Sequence, residues 1–160
     1  MAEKIVLNKA EKKLKERVTV AGAKSSVQTL GWCMAIWPVF LTVLTLVEMM
    51  FGFELPPVVW MAIGMCCMFW VLCDVRYMRT FFGANFNTGA WTAGSFFLGG
   101  AVNCTYLFVR RKHIKDNKLR GIVHAQAETG LICWIVFGFI VTISAIMTAI
   151  AEYQSAAVAM

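Results

Sequence analysis

The chain has 160 residues, of which 59% are hydrophobic and 15% charged, with a formal net charge of +6. Soluble domains average about 45–50% apolar and about 25% charged residues, so this composition argues against a water-soluble fold, and the length suits one domain. The charges are also segregated: seven of the fifteen Lys and Arg fall in residues 1–25 and six more in 110–120. A bilayer imposes such clustering because a charge at its centre is costly.

Residues 1–25 read as a basic amphipathic N-terminal helix of net charge +4. Asn8 followed by Glu11 marks a helix start of the capping-box kind. Leu7, Ala10, Leu14, Val18 and Ala21 recur at three- and four-residue steps, a narrow apolar stripe suited to an anionic membrane surface. The apolar run that follows is too long for a cleaved signal peptide.

The remainder, residues 26–155, is expected to form a transmembrane helical bundle. The fold class is therefore all-α: an integral membrane bundle of about four transmembrane helices preceded by the basic helix. The spans are placed at about 28–50, 58–73, 90–109 and 129–151, each measured against a hydrocarbon core of about 30 Å. Pro38 should kink the first. Glu54 and Pro56-Pro57 mark the turn after it, and Asp74, Arg76 and Arg79 close the second. The third is the least apolar, with Thr92, Ser95, Asn103 and Thr105 among three glycines.

Two charge distributions compete. Four spans place the basic run 110–120 opposite the N-terminus, whereas a re-entrant segment 90–109 would gather all fifteen cationic residues on one side, as the positive-inside rule favours. Twenty residues suffice to cross at about 1.5 Å per residue, so four spans are expected.

Each span carries a line of small or weakly polar residues. Gly31, Ala35 and Thr42 lie on the first, and Ser95, Gly99 and Asn103 on the third. Gly138, Thr142 and Ala145 lie on the fourth. In lipid, helices associate through close backbone approach and interhelical hydrogen bonds, so these nine positions are expected to be helix-packing sites. Large side chains such as Trp134 and Phe137 are expected to face lipid or another subunit.

The chemistry-bearing residues are sparse. All six cysteines fall in apolar segments without Cys-x-x-Cys spacing and read as packing residues. Glu48 lies about one turn from the end of the first span, and Asp74 and Glu128 sit at boundaries, Asp74 within reach of Arg76 or of another helix. His113 and His124 are too few for a pair of haems. No zinc, nucleophile-elbow or nucleotide-binding pattern occurs, so no catalytic residue, metal or cofactor is expected. Arg110, Arg111, Lys112 and Lys115 are expected to meet anionic lipid headgroups. The run lacks the interleaved aromatics of a nucleic-acid platform.

The expected role is that of a non-enzymatic multi-pass protein of a cell or inner membrane. It would be a structural or assembly subunit that self-associates or joins other membrane subunits. A small oligomeric channel lined by Thr42, Thr45, Ser95, Asn103, Thr142 and Ser144 is the main alternative. A membrane enzyme acting on a lipid or hydrophobic cofactor is the other.

Overall fold

A computed structural model describes residues 6–52 and 54–158. The first five residues of the expected basic segment, with Glu3 and Lys4, lie outside the described residues. All regular structure among those described is helical: α1 (Lys9–Arg17), α2 (Val20–Phe51), α3 (Pro57–Phe82), α4 (Thr88–Leu98), α5 (Gly100–Arg111) and α6 (Asn117–Val158). Three helices are long and apolar enough to cross a membrane, namely α2, α3 and the stretch Leu119–Ser155 of α6.

The helix starts follow local chemistry. Asn8 caps α1 through a reciprocal box, its Oδ1 accepting from the Glu11 amide at 2.9 Å while Glu11 Oε2 accepts from the Asn8 amide at 2.8 Å. The basic segment is not one helix, however. It breaks at Val18, and Thr19 caps α2 by accepting from the Gly22 amide at 3.1 Å. Helix α1 folds back on α3, where Glu11 is buried and meets Arg79 at 3.3 Å. Pro38 lies inside α2, which continues through it to Phe51. Glu48 accepts from the Leu55 amide at 2.9 Å and so closes the α2–α3 turn.

Side-chain pairing gives the directions. Lys24 pairs with Asp116, Gln126 Nε2 donates to the Gln28 carbonyl, and Gly130 packs on Ala35. Partners on both helices thus advance together, and α2 and α6 run parallel. Trp37 meets Trp70 edge-on at 4.8 Å, and Leu41 shares a cavity with Trp60 and Ile63. Helix α3 therefore runs antiparallel to α2.

The expected third span at 90–109 is not one helix. Gly99, at φ +48° and ψ −116°, ends α4 and starts α5. L-residues rarely adopt a positive φ, and glycine does so without steric penalty. Backbone bonds continue up to the break on both sides: Gly99 N–H donates to Ser95 O at 3.1 Å, and Asn103 N–H donates to Gly99 O at 3.0 Å. The chain then doubles back, with Gly94 facing Val102 and the rings of both Phe86 and Trp91 tilted against that of Tyr106. Eleven and twelve residues give lengths of about 16 and 18 Å, each about half a hydrocarbon core. The start of α4 and the end of α5 lie at the same end of the bundle, where Phe86 meets His113 at 4.7 Å.

The other spans run longer than expected. Helix α3 continues beyond Cys73 to Phe82, carrying Asp74, Arg76 and Arg79 within it, and α6 begins ahead of Thr129.

Candidate functional site

A polar knot ties four helices together inside the bundle. Asp74 on α3, Tyr106 and Arg110 on α5, and Gln126 on α6 are each fully buried. Arg110 Nη2 donates to Asp74 Oδ1 at 3.0 Å and to the Val27 carbonyl of α2 at 2.6 Å. Its Nη1 donates to Gln126 Oε1 at 2.7 Å, and Tyr106 Oη donates to Asp74 Oδ2 at 2.6 Å. Gln126 Nε2 completes the set by donating to the Gln28 carbonyl at 2.8 Å. Both carboxylate oxygens are thereby matched, as a buried charge requires.

The knot depends on a notch in α2. Both carbonyls lie one turn before Gly31, and a Cβ there would stand 2.1 Å from Gln126 Oε1 and 2.3 Å from Arg110 Nη1. Only a residue without a side chain lets Arg110 and Gln126 reach the α2 backbone. The expectation that Arg110 meets lipid headgroups is therefore corrected: it is 0% exposed and held by its ion pair. Asp74 pairs with another helix instead of with Arg76.

The other expected site residues divide clearly. Gly31, Ala35, Ser95 and Asn103 are buried between helices. Asn103 lies beside the Cys67 thiol, but among the described residues neither its amide oxygen nor its nitrogen meets hydrogen-bond geometry with a partner, and the Ser95 hydroxyl has none. Thr42 is half-buried and donates to Pro38 O at 2.8 Å within its own helix. Gly99 is the helix break rather than a contact, with no described atom beyond its chain neighbours within 4 Å of a would-be Cβ. Gly138 is equally open, and Thr142 and Ala145 are exposed within this chain. Trp134 is half-buried and packs over Gly100 at the hairpin tip.

A second feature lies where α5 and α6 emerge from the bundle. Arg111, Lys112, Arg120, Gly121 and His124 line a cleft of about 530 Å³. The Arg111 guanidinium sits 4.6 Å over the Phe108 ring and 3.2 Å from His124 Nδ1. Lys115 is exposed and does not line this cleft. Among the described residues, no group of three or more His, Cys, Asp or Glu could hold a metal ion.

No protein-family model matches the chain. No curated protein and no solved structure matches it either. The functional reading therefore rests on the residues themselves.

Sequence reasoning missed the knot because its members are distant in the chain. One local signal was present: Asn103, Tyr106, Leu107 and Arg110 fall at i, i+3, i+4 and i+7, the spacing of one helical face. All four are buried, so an arginine in line with an inward face pointed inward too.

Proposed function

We propose that this chain is a non-enzymatic membrane subunit that assembles with a second copy or with other membrane subunits. The observation that carries the reading is the distal half of α6. That helix has 42 residues, about 63 Å at about 1.5 Å per residue, yet beyond Trp134 and Phe137, which line a cavity against α2, α3 and the hairpin tip, its side chains to Ser155 are exposed or at most half-buried. Beyond them Gly138, Thr142 and Ala145 form one small-residue face that is exposed among the described residues. Close helix approach in lipid needs such a face.

In this reading α2, α3 and α6 cross the membrane, and α4–α5 form a re-entrant hairpin. Broken helices are tolerated at membrane depth where protein covers the freed backbone, and here α3 and α6 flank the tip through Gly64 and Trp134. Every described Lys and Arg position then lies at the end bearing α1 and the 112–116 turn. Glu48, Glu54 and Glu152 lie at the other. The positive-inside rule makes the basic end cytoplasmic.

The pore alternative draws less support from its proposed lining. Ser95 and Asn103 are buried between the helices of one chain, and the hydroxyl protons of Thr42, Thr45 and Thr142 are each taken by a carbonyl one turn back in their own helix.

Mass measurement of the full chain in mild detergent tests the assembly. The expected result is an oligomer or a defined co-purifying subunit, reduced to monomer by Gly138→Leu. A monomeric wild type whose mass and thermal midpoint match those of the variant overturns the reading.

A further inference from the structure

We propose that the cleft lined by Arg111, Lys112, Arg120 and His124 is a binding site for the phosphodiester of an anionic glycerophospholipid. The inference rests on the reading that this end of the bundle lies at the cytoplasmic water–lipid boundary.

Three always-charged or strongly basic side chains converge on one cavity of about 530 Å³. Among the described residues neither Lys112 nor Arg120 has an ion-pair partner, whereas Lys24, Arg79 and Arg110 each hold a carboxylate. Of the nearby acids, Asp116 pairs with Lys24 and accepts from the Leu119 amide at 3.2 Å, and Glu128 Oε1 meets His124 Nε2 at 3.1 Å one turn farther along α6. Unmatched cations that face each other repel, and an anion between them removes that repulsion. Arginine suits phosphate in particular, because its planar fork donates two parallel hydrogen bonds to two oxygens. His124 Nδ1 already faces the Arg111 fork, and this holds the guanidinium at the cleft wall.

The surroundings select a lipid over a free anion. Phe108 lies beneath Arg111 on the bundle side. Beyond the cleft, α6 presents Leu131, Ile132 and Ile135, which are 39%, 63% and 60% exposed. A phosphate in the cleft would therefore carry its acyl chains down an apolar slope on the outer face of α6. Basic pockets between helices at the cytoplasmic side recognise anionic headgroups by this combination of charge and adjoining apolar surface.

The site differs from the basic run taken as a whole. Arg110 is removed from it by burial and Lys115 by position, while His124 and Arg120 enter from α6.

Native mass spectrometry and thermal unfolding of the full chain in uncharged detergent test the proposal. The probes are dioleoyl phosphatidylglycerol, dioleoyl phosphatidylcholine and inorganic phosphate. One phosphatidylglycerol per chain should be retained and should raise the midpoint, whereas phosphatidylcholine and phosphate should do neither. At about fivefold in affinity per cationic residue, Arg111→Gln with Arg120→Gln should weaken phosphatidylglycerol binding about 30-fold. Lys9→Gln with Lys12→Gln removes equal charge from α1 and should change it less than about threefold. Equal losses in the two double variants would reduce the effect to diffuse charge and overturn the site. An equal response to phosphate would make it a free-anion site, and no saturable lipid retention would also sink it. Alkaline carbonate extraction of the wild type separates the two readings: a chain that resists extraction but retains no lipid refutes the headgroup site alone, and an extractable chain refutes the membrane placement itself.

Discussion

Arg110 Nη2 lies 3.0 Å from Asp74 Oδ1, and both side chains are wholly buried. The pair joins the return arm of the hairpin to α3. Through Val27 O and Gln126 the same guanidinium also holds α2 and α6. A buried pair of this kind adds little net stability over an apolar substitute, but removing one partner strands the other charge away from water.

Arg110→Gln should therefore destabilise the folded chain by about 3–5 kcal/mol. Asp74→Asn combined with Arg110→Gln should cost less than Arg110→Gln alone, because no unpaired carboxylate remains. Unfolding in bicelles across the double-mutant cycle measures the coupling. A double variant as unstable as the two single losses added together would show that the residues act independently.

Gly31→Ala places a methyl group where Gln126 Oε1 and Arg110 Nη1 now lie. Those side chains are fixed by further hydrogen bonds, so the knot must shift as a unit. Overpacking of this kind costs about 1–3 kcal/mol, read as a lowered thermal midpoint in detergent. Gly138→Ala is the matched comparison, since nothing stands within 4 Å of its would-be Cβ, and it should leave the fold of the single chain unchanged.

Gly99→Val should cost about 1–3 kcal/mol by forcing a β-branched residue into a positive-φ conformation. The loss should fall chiefly on the hairpin. Hydrogen exchange should rise across residues 88–111 and much less in α2. Uniform acceleration along the whole chain would show that the break is not a separately adjustable element.

Topology supplies a fourth test. In a variant free of native cysteines, single cysteines at Lys13, Lys115 and Tyr153 are treated in intact cells with a membrane-impermeant thiol reagent. Only position 153 should label, because a re-entrant hairpin leaves Lys13 and Lys115 together on the cytoplasmic side. Labelling at 115 would restore a fourth crossing between Ala90 and Val109.

The sequence by itself determined the class of protein and much of its punctuation. Apolar runs of span length, segregated charge, the Asn8–Glu11 cap and the Pro56-Pro57 stop are local features, set by the solvent and by neighbours within one turn. Three of the four expected crossings coincide with long apolar helices in the structure. The path of residues 90–109 was not legible, because twenty moderately apolar residues satisfy the length of a crossing whether or not the backbone turns back. The turn hangs on the dihedral angles of Gly99, which composition does not reveal, and on Gly64 and Gly100 letting Phe96 and Trp134 close on the hairpin tip. Arg110 was misplaced for a related reason. Within the run of cations at 110–120 its charge matches that of Arg111, its neighbour about 100° around the helix, and only its place in line with Asn103, Tyr106 and Leu107 sets it apart. Only the tertiary structure brings Asp74, Gln126 and the notch at Gly31 to one side of α5, and that converging set of acceptors is what makes burying one arginine, and not the next, physically possible.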